Sequence, residues 1–250
     1  MSVAVITGAS SGLGAQYARE IEMAYPDIDE IYLIARRKDR LSALCGELSK
    51  KVEILDMDLQ DYGSYERYRR FLEERAPDIK ILINNAGFGK LCDFEKGELS
   101  SQTGMCDVNV RALTAMALIT LPYMKKGGFI INVCSIAAFV PTPRMTVYCS
   151  TKAYVMSFSK SLREELKVRG INVLAVCPAP MDTEFLKTAD IVDSKTFDAL
   201  PRVKIEDVAK GSLYAAAHGR AVYTNRAIYK FYRFVSKMLP HNLLMKFTTT

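Results

Sequence analysis

The sequence predicts a single α/β domain: a doubly wound parallel sheet of about seven strands with helices on both faces, followed by a C-terminal amphipathic helix. Short apolar runs alternate with longer amphipathic stretches along the chain. A glycine-rich turn joins the first apolar run to the first amphipathic stretch, and no break in composition divides the 250 residues. We therefore assign residues 1–224 to a sheet-and-helix core and residues 225–250 to a helical tail.

The first strand is predicted at residues 3–6, which are apolar on both faces of an extended chain. It leads into the glycine turn of residues 7–14, and an amphipathic stretch to about residue 24 predicts a helix. Glycines let the backbone approach a pyrophosphate, and a helix N-terminus offers free N–H groups. The spacing is Gly-x-x-x-Gly-x-Gly, not Gly-x-Gly-x-x-Gly, and the alternative is an ordinary strand–helix turn. We infer a dinucleotide site of Rossmann type.

The remaining elements follow from the same alternation of patterns. Further strands are predicted at residues 31–35, 52–55, 79–83, 129–133, 171–176 and 220–224, and further helices at 37–50, 61–75, 101–124, 148–169 and 204–218. Residues 184–202 show no clear periodicity and are predicted to form a loop that covers a site.

Composition narrows the classes of function. The chain is 49% hydrophobic and carries a net charge of +6, but most Lys and Arg are scattered and do not form the stripe expected of a nucleic-acid partner. Six cysteines without Cys-x-x-Cys spacing and only two histidines favour free thiols, a cytoplasmic location and no metal site. No signal peptide precedes the first strand, and no apolar run of about 18 residues predicts a transmembrane helix.

Two arginines follow the second strand, where a dinucleotide fold usually places a carboxylate on the ribose 2′-hydroxyl. Arg36 and Arg37 stand there instead, and guanidinium groups can pair a 2′-phosphate. This predicts NADP(H) as the cofactor. The alternative is that both arginines solvate the start of a helix.

Tyr148 and Lys152 lie four residues apart, on one face of a predicted helix. A phenol has a reference pKa of about 10, and a nearby ammonium favours the phenolate and lowers that pKa. The pair is therefore a candidate proton-transfer device, although the same spacing also occurs on solvated helix surfaces.

In five motifs the chain resembles the short-chain dehydrogenase/reductase family over nearly its full length: the turn of residues 7–14, Asn-Asn-Ala-Gly at 84–87, Asn109, Ser135, and Tyr148 with Lys152. The resemblance implies an oxidoreductase that interconverts a ketone and a secondary alcohol. Tyr148 would be the general acid or base, Lys152 would lower its pKa, Ser135 would orient the carbonyl, and Asn109 would join a proton relay.

The expected cofactor contacts combine the residues implied by the resemblance with the two arginines. They are Gly8, Ser10, Ser11, Gly12, Leu13, Gly14, Arg36, Arg37, Asp58, Leu59, Asn85, Ala86, Gly87, Tyr148, Lys152, Pro178, Met181 and Thr183. Family members often carry Pro-Gly after the sixth strand, but here the sequence is Pro178-Ala179.

A mostly apolar set of residues predicts an uncharged, hydrophobic carbonyl or alcohol substrate, of hydroxysteroid or acyl type. The set is Phe88, Leu91, Ile136, Phe139, Val140, Met145, Met181 and Phe185, of which half could instead be core. A non-catalytic NADP-binding regulator with the same fold remains the alternative. The set of Asn109, Ser135, Tyr148 and Lys152 favours the enzyme.

The tail predicts an amphipathic helix over residues 226–239, ended by Pro240. Its apolar residues are Ile228, Phe231, Tyr232, Val235, Met238 and Leu239, and its cations are Arg226, Lys230, Arg233 and Lys237. Three roles stay open: packing as core or lid, contact with a second subunit, and contact with a membrane surface. A homo-oligomer is expected, more safely a dimer than a tetramer, because this tail departs from the usual ending of the family.

Overall fold

A parallel sheet of seven strands forms the centre of the protein. The computed structural model describes residues 1–191 and 200–248, without the side chains of Lys187 and Phe247. The strands are β1 (Ser2–Thr7), β2 (Glu30–Ala35), β3 (Lys51–Asp56), β4 (Asp78–Asn84), β5 (Met124–Val133), β6 (Asn172–Val176) and β7 (Val222–Tyr223). Their order is β3-β2-β1-β4-β5-β6-β7. The predicted fold class is confirmed.

Helices cover both faces of this sheet. They are α1 (Gly12–Ala24), α2 (Lys38–Glu47), α3 (Tyr62–Arg75), α4 (Leu99–Cys106), α5 (Leu113–Thr120), α6 (Thr146–Leu166), α7 (Glu184–Thr188), α8 (Ile205–Ala217), α9 (Ala227–Met238) and α10 (His241–Leu244). Ile21 of α1 and Leu213 of α8 pack in the core on one face. Leu72 of α3, Met116 of α5 and Leu166 of α6 pack on the other.

The order of the strands reverses between β1 and β4, and this opens a crevice at their carboxyl ends. The glycine turn after β1 and the Asn-Asn-Ala-Gly segment after β4 meet at this point. Asn85 joins them, because its Nδ2 donates hydrogen bonds to the carbonyl oxygens of Thr7 at 3.1 Å and Gly8 at 3.2 Å. The Thr7 hydroxyl accepts from the backbone N–H groups of Asn85 and Ala86, both at 3.0 Å.

The predicted continuous helix over residues 101–124 is wrong in two respects. A π-helical segment, Asp107–Ala112, lies between α4 and α5. The helical run also ends in a short 3₁₀ turn, Leu121–Tyr123, with Pro122 in its first turn, and Met124 already belongs to β5, paired with Ile79. Proline cannot continue the backbone hydrogen bonds of an α-helix, so the run ends there. The π turn shifts the register of the helix and brings Asn109 to the inside.

The helical run Leu99–Tyr123 is long and apolar enough to cross a membrane by length and composition alone. However, 44% of its most apolar window is buried inside the domain. Ala112, Met116 and Ala117 are buried in the core against the sheet. Core packing therefore accounts for its apolar side chains.

A chain of buried polar groups fixes α6 to the sheet. Asn84 Nδ2 on β4 donates to Asn132 Oδ1 on β5 at 2.9 Å, and Asn132 Nδ2 donates to the Ser159 hydroxyl on α6 at 3.0 Å. Ser159 in turn donates to the carbonyl oxygen of Val155 at 2.6 Å. Buried polar groups that satisfy one another in this way specify one arrangement of the elements that carry them. These buried hydrogen bonds thereby set the position of the α6 face that bears Tyr148 and Lys152.

Candidate active site

The first turns of α6 hold Tyr148 and Lys152 inward, as their spacing predicts. Both are buried, with exposures of 6% and 5%. The Lys152 ammonium lies 5.7 Å from the centroid of the Tyr148 ring and donates to the carbonyl oxygen of Val133 at 2.9 Å. Phe185 packs against the same ring with the centroids 5.5 Å apart. The tyrosine ring is therefore held from two sides.

The acidity of Tyr148 differs from the expectation. Burial raises the pKa of Tyr148 well above its usual value, and a hydrogen bond with the Ser135 side chain lowers it by less. Burial also lowers the pKa of Lys152. In this geometry, desolvation outweighs any help from the ammonium. The predicted lowering of the tyrosine pKa by Lys152 is not seen, and the phenol is protonated at neutral pH.

Ser135 stands beside Tyr148 at the end of β5. Its backbone is extended, and its hydroxyl oxygen accepts from the N–H of Ala137 at 3.1 Å, which caps a short 3₁₀ turn, Ile136–Ala138. The cap fixes the side chain in one direction. The Ser135 and Tyr148 hydroxyls therefore form a pair at one wall of a common cavity.

Asn109 lies behind this pair and does not line the cavity. Its Oδ1 accepts from the N–H of Phe88 at 3.0 Å, and its Nδ2 donates to the Phe88 carbonyl at 2.9 Å and to the Thr151 hydroxyl at 3.0 Å. Its side chain thus binds the segment after β4 to α6. A Cβ built on Gly87 would lie 2.8 Å from Oδ1 of Asn109 and 3.4 Å from Nζ of Lys152. Asn109 and Lys152 therefore flank the same glycine.

The cavity has a volume of about 850 Å³ and runs from the glycine turn to Tyr148. Of the predicted site residues, all but Gly14 and Asn109 lie on its wall. The predicted residues on the wall are Gly8, Ser10, Ser11, Gly12, Leu13, Arg36, Arg37, Asp58, Leu59, Asn85, Ala86, Gly87, Ser135, Tyr148, Lys152, Pro178, Met181 and Thr183. The structure thus brings together segments that lie far apart in the sequence.

The glycine turn is shaped to receive another group. Gly8 and Gly12 adopt positive φ angles of 65° and 53°, which side chains with a Cβ rarely allow. Gly14 lies beneath the turn: a Cβ there would come within 2.3 Å of the Gly8 carbonyl oxygen and 2.6 Å of Asn85 Nδ2. The turn and the N-terminus of α1 therefore fit the pyrophosphate of a dinucleotide.

Glu184 begins α7, a short helix where the sequence predicts a loop, and its side chain reaches across the cavity to the arginines near β2. Residues 192–199 of that predicted loop lie outside the described residues. The Glu184 carboxylate contacts Arg40 and lies 3.0 Å from Arg37 Nη1. Arg37 also donates to the hydroxyls of Ser10 at 3.0 Å and Ser11 at 2.8 Å. The two guanidinium groups hold the pKa of Glu184 down at about 2. Neither Glu184 nor Arg40 was predicted, since no local pattern marks a contact between such distant segments.

The predicted substrate wall is partly correct. Five of its members line the cavity, namely Phe88, Ile136, Met145, Met181 and Phe185. Phe139 and Val140 instead pack in the core with Val155 and Leu244, and Leu91 packs beside Met105, outside the wall. The apolar spacing alone could not separate wall from core. Over the described ranges, no group of three or more His, Cys, Asp or Glu could hold a metal ion.

The tail supplies wall residues that the sequence analysis did not assign to the site. Tyr229 and Tyr232 of α9 line the cavity, and the Tyr229 hydroxyl donates to the carbonyl oxygen of Pro201 at 2.8 Å. The spacing of three residues, which places both tyrosines on one face of a helix, was the only sequence pattern that could have indicated this. Burial raises the pKa of Tyr232 to about 12, so its phenol is neutral on this wall.

Ala179, where relatives often carry glycine, is accommodated without strain. It is 3% exposed, its N–H donates to Asn225 Oδ1 at 3.3 Å, and it has no positive φ. The loop after β6 therefore needs no glycine here to reach the cavity.

The fold and site define a dinucleotide-binding α/β protein with a buried tyrosine and lysine and a half-buried serine at the sheet's carboxyl edge. The sequence profile of the short chain dehydrogenase family matches residues 2–191. An uncharacterized oxidoreductase of Staphylococcus epidermidis is 28% identical over 228 residues, which cover 89% of this chain and 94% of that protein. The chain belongs to the short-chain dehydrogenase family and is an oxidoreductase of that family, as its motifs predict.

Two solved structures of similar proteins share this architecture. A short-chain dehydrogenase from Sphingobium yanoikuyae in complex with NADPH is 29% identical, with a TM-score of 0.81, over 98% of this chain and 96% of that one. The bulky-bulky ketone specific alcohol dehydrogenase from Comamonas testosteroni is 27% identical, with a TM-score of 0.76, over 98% and 94%.

Proposed function

We propose that the protein is an NADP(H)-dependent oxidoreductase that interconverts an uncharged, hydrophobic ketone and its secondary alcohol. One observation carries the proposal: the hydroxyls of the buried Tyr148 and the half-buried Ser135 pair in the same cavity as the glycine turn, with the Lys152 ammonium beside them. A carbonyl oxygen placed between the two hydroxyls would meet two donors at once.

The preference for NADP(H) rests on charge at the end of β2. Arg36 and Arg37 line the cavity there, where a carboxylate would disfavour a 2′-phosphate. The glycine turn would hold the pyrophosphate, and Thr183 lies within van der Waals distance of a Cβ built on Gly12. The Sphingobium relative, which binds NADPH, supports this assignment. Bound NADPH would supply the hydride.

The chain's own groups manage the charge and the proton. As a carbonyl carbon is reduced, negative charge grows on its oxygen, and donors fixed in advance stabilise that charge where it develops. Tyr148, kept protonated by its raised pKa, donates the proton in reduction and accepts it in oxidation. The Lys152 ammonium, 5.7 Å from the ring, would favour the phenolate that remains, although burial of Tyr148 outweighs this effect on its pKa. Asn109 holds the backbone beside Lys152 and would take part in a proton relay.

The wall around Tyr148 supports a hydrophobic substrate. Apart from Lys152, the charged side chains among the described wall residues lie toward the glycine turn: Arg36, Arg37, Asp58 and Glu184. The end near Tyr148 is formed by side chains such as Phe88, Met145, Phe185 and Tyr232, which carry no charge to pair with a charged substrate. The Comamonas relative, specific for bulky-bulky ketones, favours the same class of substrate.

Replacing Tyr148 with phenylalanine tests the proposal. The ring and its packing against Phe185 remain, so the protein should fold and bind NADPH, while turnover of bulky hydrophobic ketones should fall by ~10²–10⁴-fold. The assay follows the absorbance of reduced nicotinamide. Tyr154→Phe is a matched control on the same helix, where the hydroxyl meets Thr114 at the surface. Turnover retained in Tyr148→Phe would remove Tyr148 from this role. Tight NADPH binding by the unmodified protein without turnover of any ketone would favour the regulator.

A further inference from the structure

The outward side of α9 and α10 carries an apolar band that nothing in the described chain covers. We call this band the outer stripe. It consists of Ile228, Phe231, Phe234, Met238, Leu239 and Leu243, with exposures of 55%, 66%, 60%, 67%, 41% and 44%. Apolar side chains at these helical spacings usually face a core. Here they form a contiguous exposed patch, which marks an interaction surface.

The inward side of α9 is already packed, so the helix cannot simply turn to bury the outer stripe. Tyr229 and Ser236 are buried, and the rings of Tyr232 and Phe139 lie 5.9 Å apart. The Arg233 guanidinium donates to the Thr224 hydroxyl at 3.4 Å. The helix is held to the domain through one face and presents the other to its surroundings.

The tail that carries the outer stripe holds charges of one sign, although Asp182, Glu206 and Asp207 line a surface pocket together with Arg226 and Lys230. Residues 208–250 contain seven Lys and Arg and no Asp or Glu, whereas the whole chain has a net charge of +6. Arg226, Lys230, Lys237 and Lys246 are exposed beside the stripe. An apolar face bordered by cations matches a surface with an apolar interior and anionic headgroups. We propose that the outer stripe docks this protein on the anionic phospholipid surface of a membrane.

A second copy of the chain is a poorer occupant of this surface. A two-fold contact between two outer stripes would bring the same patch of both copies together. The cations that border each stripe would then face one another, with no acidic residue in either tail to pair them. Like charges brought together in this way disfavour the contact, whereas phosphate headgroups would pair the same cations.

The outer stripe also meets the cavity. Ile228 is exposed and lines the cavity wall, next to Tyr229 and Tyr232 on the same helix. Ile228 thus borders both the proposed membrane contact and the cavity. If the proposed function is correct, on which this step rests, a carbonyl compound dissolved in the bilayer would enter the cavity with little exposure to water.

Co-sedimentation with vesicles tests the docking directly. The unmodified protein should sediment with vesicles of phosphatidylglycerol and phosphatidylcholine, and the bound fraction should fall as salt rises. Phe231→Ser/Phe234→Ser should weaken this partition about tenfold or more, because both side chains are exposed and would enter the lipid. Lys230→Gln/Lys237→Gln should weaken it about tenfold on these vesicles and leave any binding to pure phosphatidylcholine unchanged.

Leu118→Ser/Val168→Ser is the matched control, since both residues are exposed and apolar but lie outside the tail. Three results would overturn the proposal: no sedimentation of the unmodified protein with anionic vesicles, equal loss in the control variant, or a dimer in lipid-free light scattering that Phe231→Ser/Phe234→Ser dissociates while lipid binding is absent. Vesicle binding requires no turnover, so its failure would leave the proposed reaction untouched.

Discussion

Replacing Glu184 with glutamine should strengthen the binding of NADPH. The Glu184 carboxylate pairs Arg37 and Arg40, and its pKa of about 2 keeps it ionised from acidic to alkaline pH. A 2′-phosphate would compete for the Arg37 guanidinium and be repelled by the same carboxylate. Glutamine keeps the length of the side chain and removes its charge. It therefore weakens the contact with Arg37 that competes with the 2′-phosphate, and it leaves no cavity.

The size of the effect follows from the exposure of the pairs. The Arg37, Arg40 and Glu184 side chains are between 42% and 46% exposed, so water screens both ion pairs. Exposed pairs contribute ~0.2–1 kcal/mol each, which gives about 0.4–2 kcal/mol for two. Since about 1.4 kcal/mol corresponds to tenfold in affinity, NADPH should bind about 2- to 30-fold more tightly to Glu184→Gln.

Titration of NADPH by nicotinamide fluorescence measures the change. NADH has no 2′-phosphate, so its affinity should not change. Asp182→Asn removes a neighbouring exposed carboxylate that pairs Arg202, not Arg37 or Arg40, and should also leave NADPH binding unchanged. Unchanged or weaker NADPH binding in Glu184→Gln, or an equal gain for NADH, would refute the competition.

Two further predictions concern the glycine turn and pH. Gly14→Ala should destabilise the protein by about 1–3 kcal/mol in urea unfolding, because its Cβ would come within 2.3 Å of the Gly8 carbonyl oxygen. Gly46→Ala, with no atom within 4 Å inside α2, should instead stabilise it by up to about 1 kcal/mol, and destabilisation by both would contradict the steric reason. Because its raised pKa leaves the Tyr148 phenol protonated, the rate of ketone reduction should not change with pH around neutrality. Alcohol oxidation, which needs the phenolate, should still rise at about pH 10, and a plateau near about pH 7 would show the opposite shift.

The sequence was informative wherever a residue carries its own chemistry. The glycine turn, Ser135, Tyr148 and Lys152 could be placed because a strand followed by a turn and a helix determines where their side chains lie. Glu184 could not be placed, since its contact with Arg37 joins residues 147 positions apart. Only the fold reveals a pair of that kind.

The periodicity of apolar residues was least informative about which face of a helix is buried in the domain. Residues 101–124 are mostly helical, as their composition indicates. The spacing of apolar residues does not predict the π-helical segment or the end of the helix at Pro122, because both depend on local backbone geometry. In the tail the amphipathic pattern was correct, yet much of its apolar face, including Phe231 and Met238, points outward. The sequence left packing in the domain, contact with a second subunit and contact with a membrane open, because an amphipathic pattern does not show which surface covers the apolar face.

Part of the wall that would enclose the substrate lies apart from the residues proposed to transfer the proton. Ser135 and Tyr148 stand on elements braced by the buried amides of Asn84 and Asn132, within the segment that matches the family profile. Tyr229 and Tyr232 lie beyond residue 191, where that match ends. Drift or laboratory selection in the tail can therefore redirect recognition while the reactive centre keeps its geometry, so variants at these two tyrosines are where a change of preferred ketone should first emerge.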